Sequence, residues 1–73
     1  GKCYELKYLK QIKVLQKLQH LEYLDVSSTG LKSLKPISGL KNLQTLRVVK
    51  CKKLPSVSEL KKLTPATIID QNE

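Results

Sequence analysis

Seven apolar residues stand three apart without a break: Leu6, Leu9, Ile12, Leu15, Leu18, Leu21 and Leu24. After Val26 and Thr29 the series resumes as Leu31, Leu34, Ile37, Leu40, Leu43 and Leu46. It resets again at Val48 and Cys51 and continues as Leu54, Val57, Leu60 and Leu63. A step of three matches neither a helix face, at about 3.6 residues per turn, nor a strand face, at about 2. On one continuous helix each step would fall roughly 60° short of a full turn. The leucines from Leu6 to Leu24 would then be smeared around the whole cylinder, which excludes a single long helix.

The resets mark a repeat. Leu18 and Leu40, Leu21 and Leu43, Leu24 and Leu46, Val26 and Val48, and Thr29 and Cys51 all share one and the same separation in the chain. Five pairs at one offset define two copies of a unit. They are Leu21-Glu-Tyr-Leu24-Asp-Val26-Ser-Ser-Thr29-Gly-Leu31 and Leu43-Gln-Thr-Leu46-Arg-Val48-Val-Lys-Cys51-Lys-Lys-Leu54. The pattern resembles the leucine-rich repeat, in which a short strand, an Asn, Cys or Thr position and a returning arc make one coil. The stretch from Gly30 to Leu46 resembles the 22-residue class of internalins and phosphatase-regulatory subunits. Cys51-x-x-Leu54-Pro55 resembles a variant found in plant immune receptors.

The resemblance implies an α/β solenoid with short parallel strands on a concave face and irregular or briefly helical arcs. The chain is expected to be one segment, with an irregular first unit at 1–20, clean repeats at 21–42 and 43–64, and a degenerate end at 65–73. That end holds a possible last strand around Ile68 and Ile69. Cys3, followed by Leu6, is expected at the same post-strand position as Thr29 and Cys51. The arc from Lys10 to His20 is a candidate helix, and Gly30 and Gly39 are expected to relieve turns. Two clean units leave open ends, since about three stacked repeats are needed for stability. The chain therefore reads as part of a longer solenoid or a larger assembly.

Alternation along each short strand turns Leu24, Val26, Leu46 and Val48 inward. It sends Tyr23, Asp25 and Ser27 to the concave face beside Thr45, Arg47 and Val49. These six residues are the expected partner-binding surface, and Asp25 and Arg47 should meet across adjacent strands. Both cysteines are expected to be buried, reduced structural thiols. Two coils apart, they would stand roughly 9–10 Å from each other, beyond the ~7 Å limit for a disulfide. Reduced thiols suit an intracellular compartment. Two cysteines and His20 do not make a zinc ligand set, and no cofactor is expected.

Thirteen lysines and one arginine against six acids give a net charge of +8. Many lysines directly follow a ladder residue, which assigns Lys10, Lys13, Lys32 and Lys35 to the outer arc as a basic surface. Such a surface suits nucleic acid or an acidic protein. With one arginine, no Phe and no Trp, it lacks the bidentate and stacking groups that nucleic-acid readers favour. No apolar run approaches the roughly 18 residues of a membrane span, and no signal-like core is visible. There is no nucleophile–base motif, phosphate loop or paired carboxylate in an apolar setting. The expected function is therefore a non-enzymatic protein–protein interaction module. The alternative is a basic structural subunit of a ribonucleoprotein or other nucleic-acid-containing complex.

Overall fold

Each repeat unit contributes a strand of only three residues in the computed structural model, which describes residues 2–73. The strands are β1 (Cys3–Glu5), β2 (Tyr23–Asp25), β3 (Thr45–Arg47) and β4 (Ile68–Asp70). They form one sheet in the order β1-β2-β3-β4, parallel throughout. Parallel neighbours require a long return crossing, and the arcs between strands supply it. Tyr4, Leu24, Leu46 and Ile69 share one row across the sheet. One backbone bond recurs just past each of the first three strands. Leu6 N–H donates to Asp25 O (2.7 Å), Val26 N–H to Arg47 O (2.9 Å) and Val48 N–H to Asp70 O (2.9 Å).

The ladder residues fill the space between sheet and arcs. Leu6, Leu15, Leu21, Leu24, Val26, Leu31, Leu34, Ile37, Leu40, Leu43, Leu46, Val48 and Leu60 form one buried cluster. Rungs of the middle coil, Leu31, Leu34, Ile37, Leu40 and Leu43, are buried, whereas Leu9 and Leu63, in the outermost coils, are 44% and 45% exposed. The same residue type at the same step thus gains different burial, because only an inner coil is covered on both sides. A step of three works here because the arcs are mostly turn, with a period shorter than that of an α-helix.

The arcs carry little regular structure. The first holds a 3₁₀ turn at Leu9–Gln11 and one turn of α-helix, α1 (Ile12–Leu15), so the candidate helix over Lys10–His20 is only partly formed. Gln11 Oε1 accepts from the N–H groups of Lys7 (2.9 Å) and Tyr8 (3.0 Å), fixing the entry to that turn. The last arc holds α2 (Val57–Leu63), with Glu59 in its first turn and Lys61 and Lys62 in its last. That order of charges complements the helix dipole. Gly30 does adopt a positive φ of 76°. Gly39 does not, among the positive-φ residues described, so the expectation for it fails.

Cys3 corrects the first unit. It does not follow a strand; it begins one, in register with Tyr23. The steps between strands are therefore unequal. The step from Cys3 to Tyr23 is the shortest, that from Tyr23 to Thr45 is two longer, and that from Thr45 to Ile68 is one longer again. Leu6 occupies the place of Val26, and Tyr4 the place of Leu24. The principal extents are 26 × 25 × 21 Å. Four strands at about 4.8 Å spacing are too few to make the molecule long in the stacking direction.

Candidate functional site

Strand alternation leaves two outward rows on either side of the Tyr4–Leu24–Leu46–Ile69 row. One is Cys3, Tyr23, Thr45 and Ile68; the other is Glu5, Asp25, Arg47 and Asp70. Arg47 lies between two acids. Its Nε stands 3.8 Å from Asp25 Oδ2, and its Nη1 donates to Asp70 Oδ2 at 3.1 Å. All three side chains are partly buried. The expected Asp25–Arg47 pair is in register, and Asp70 turns it into a three-residue bridge across β2, β3 and β4.

Each aspartate also closes a turn after its own strand. Asp25 Oδ1 accepts from Ser27 N–H and Asp70 Oδ1 from Asn72 N–H, both at 2.9 Å. These are side-chain mimics of a backbone turn. The Asn72 amide, the largest influence, holds the Asp70 carboxyl below its ordinary range against the opposing effect of burial, with help from the Arg47 guanidinium. The Arg47–Asp25 contact alone is of the kind that contributes about 0–1 kcal/mol. The acids therefore fix the guanidinium in place, and Arg47 does not present a free cation.

Of the six expected surface residues, Tyr23, Asp25, Ser27, Thr45 and Arg47 are partly exposed on this side of the sheet. Val49 is not available: it is only 9% exposed. Its N–H donates to Ser27 Oγ at 2.9 Å, drawing the chain against the neighbouring coil. Sequence alternation missed Glu5, Ile68 and Asp70. The signal for the last two lay in an extra residue: Cys51 and Leu54 are separated by two lysines, Thr29 and Leu31 by Gly30 alone. Counting that insertion puts Asp70 in line with Arg47.

Behind the strands, the post-strand position repeats. Ser28 and Lys50, at equivalent places in the two clean repeats, both adopt positive φ, at 60° and 58°. Just beyond them, Thr29 Oγ1 and Cys51 Sγ donate to the same carbonyl, Val26 O, at 2.7 and 3.1 Å. Cys51 is half-buried rather than fully buried, and burial pushes its thiol up from the ordinary value. Cys3 is exposed, because its strand position points outward, and both thiols are free. The expectation of two buried thiols therefore fails at Cys3.

Lys10, Lys13, Lys32 and Lys35 are all exposed on the first two arcs. The Lys10 ammonium lies 5.8 Å from the centroid of the Tyr8 ring. A cleft of about 170 Å³ opens beside Lys2, Lys17, Leu18, Gln19, His20 and Leu21. Among the described residues, no three His, Cys, Asp or Glu side chains are grouped so as to hold a metal. No helix among the described residues is long and apolar enough to cross a membrane.

Comparison with known proteins gives one family. The model described as Leucine Rich repeats (2 copies) matches residues 19–62, more than half of the chain. Neither curated proteins nor solved structures gave a match.

Proposed function

Because the chain belongs to the leucine-rich repeat family, we propose that it is a non-enzymatic protein–protein interaction module that binds through the outer face of its sheet. Leucine-rich repeats generally mediate protein–protein interaction, and the chain supplies side chains suited to that use. The observation that carries the reading is the registered array of Tyr23, Thr45 and Ile68 beside Asp25, Arg47 and Asp70. Tyr23 offers amphipathic contact area of the kind enriched at interfaces. The acid–arginine–acid bridge is prearranged, so little side-chain freedom remains to be lost on binding. Val49, being buried, is not among the contact residues.

The open outermost rungs, Leu9 and Leu63, favour a place within a longer solenoid or a larger assembly. Two free thiols suit a reducing intracellular setting. Affinity capture with three proteins tests the reading: wild type, Tyr23→Ala/Arg47→Ala, and Lys10→Ala/Lys13→Ala/Lys32→Ala/Lys35→Ala. A protein retained by wild type and the lysine variant, and lost on the strand-face variant with its circular dichroism unchanged, is the expected result. Submicromolar binding of RNA or DNA duplexes near physiological salt, lost only on the lysine variant, would replace this reading with the nucleic-acid one.

A further inference from the structure

Charge is divided between the strand face and the arcs. The middle arc, residues 26–44, carries Lys32, Lys35 and Lys41 and no acid. The first arc, residues 6–22, carries Lys7, Lys10, Lys13 and Lys17 against Glu22 alone, and Glu22 stands 3.3 Å from Lys2. Asp25 and Asp70 lie on the strand face, where Arg47 meets both, and Glu5 is 3.9 Å from Lys7. Acids at the sheet are thus already paired, while the arcs keep their charge.

Within the arcs, four lysines form a bounded group. Lys10 and Lys13 follow the rungs Leu9 and Ile12; Lys32 and Lys35 follow Leu31 and Leu34, the same rungs one repeat later. The common offset sets the two pairs side by side on neighbouring coils. In the third coil the same places, after Leu54 and Val57, hold Pro55 and Ser58, which ends the group. All four lysines are exposed, and among the described residues none is ion-paired. Lys32 and Lys35 belong to the coil that is covered on both sides, so their exposure owes nothing to an open end. Ser33 Oγ accepts from Lys35 N–H at 3.1 Å, which pins the backbone under this pair. Crowded like charges cost stability through self-repulsion, and no acid of the middle arc offsets it.

We propose that Lys10, Lys13, Lys32 and Lys35 form a second docking surface, on the arc side, for an acidic polypeptide segment of another protein. Two other polyanions fit less well. A nucleic acid is read by arginine forks and aromatic stacking, but Arg47 is held by two aspartates on the strand face and residues 26–44 contain no aromatic. An anionic bilayer takes in apolar side chains beside the bound lysines, and the middle arc exposes no large hydrophobic residue. Flexible lysine stems carrying point charges suit the carboxylates of an acidic chain, which need no fixed fork. The strand face stays open, so the two surfaces can be occupied together.

The probe is a blocked octaglutamate, added to the full chain and followed by NMR and by fluorescence anisotropy of a labelled copy. Saturable binding is expected, with amide shifts around Lys10, Lys13, Lys32 and Lys35 and none at Tyr23 or Arg47. Lys32→Gln/Lys35→Gln removes two charge contacts and should weaken it about five- to tenfold. Lys52→Gln/Lys53→Gln removes the same net charge from the third coil and should weaken it less than about twofold, because exposed charges more than about 10 Å apart are screened. Tyr23→Ala/Arg47→Ala should bind as wild type does, which separates this surface from the strand face. Equal loss in the two lysine variants would reduce the effect to net charge and overturn the proposal. So would shifts on the strand face, or the absence of saturable binding. Tighter binding at equal salt to an RNA duplex, or to vesicles of equal parts phosphatidylserine and phosphatidylcholine, would also overturn it in favour of that polyanion.

Discussion

Leu46→Ala and Leu63→Ala remove the same atoms from the same sequence pattern, and the structure assigns them different costs. Leu46 is fully buried at the centre of β3, between Leu24 and Ile69. Truncating a fully buried leucine costs about 2–5 kcal/mol, the loss of transfer energy plus that of an unfilled cavity. Leu63 is 45% exposed, and its open surroundings can collapse or hydrate. With full burial contributing about 1.5–3 kcal/mol, its loss should be near 1 kcal/mol. A chain of this length has a total stability of roughly 4–11 kcal/mol. Leu46→Ala alone therefore removes a large share of it. Far-UV circular dichroism during urea unfolding gives both values, and thermal scans should show about 4–8 °C per kcal/mol. Leu63→Ala costing as much as Leu46→Ala would refute the reasoning. It would mean that burial follows the ladder in the sequence and not the position of the coil in the stack.

Three further outcomes follow from named groups. Gly30→Ala should destabilise by about 1 kcal/mol in chemical denaturation, because φ is 76° and no atom lies close enough to explain the loss by contact. Gly39→Ala, with equally open space, should be neutral or stabilising by about 0.4–1 kcal/mol. With a thiol reagent in native buffer, Cys3 should label promptly, and Cys51 slowly until the chain is unfolded. Because the folded Cys51 value lies above the ordinary 9.0, the stability this thiol contributes is intact below pH 9.0 and declines as pH rises past it. The Asp70 carboxyl, held below its ordinary 3.8, contributes stability above that pH and loses it on acidification through the lowered value. In Arg47→Met its NMR titration should move up yet stay below the ordinary value, since the larger cause, the Asn72 amide, remains.

The centre of the fold was legible because β2 and β3 are separated by one uniform unit. Leu24 over Leu46 and Asp25 beside Arg47 follow from the common repeat offset alone. The ends were less legible, for two different reasons. Cys3-x-x-Leu6 has the same spacing as Cys51-x-x-Leu54, yet in β1 the cysteine starts the strand and Tyr4 takes an inward place that leucine holds elsewhere. At β4 one inserted lysine lengthens the count by one, which hid Asp70 as the second partner of Arg47. Val49 sits at an outward parity but is buried against the adjoining coil. Alternation specifies which side a residue faces, not what covers it.

The unequal coil lengths have an evolutionary consequence. No two of the three successive coils are equally long, yet every strand stays paired in unbroken register. Length changes are absorbed where backbone groups can find turns and water, and they do not propagate to the sheet. Such a chain can gain or lose a residue in an arc by a single codon and keep the same outward side chains side by side. The same change inside a strand would exchange its inward and outward residues. Selection is therefore free to vary the arcs in both length and charge while the pattern on the strand face is inherited intact.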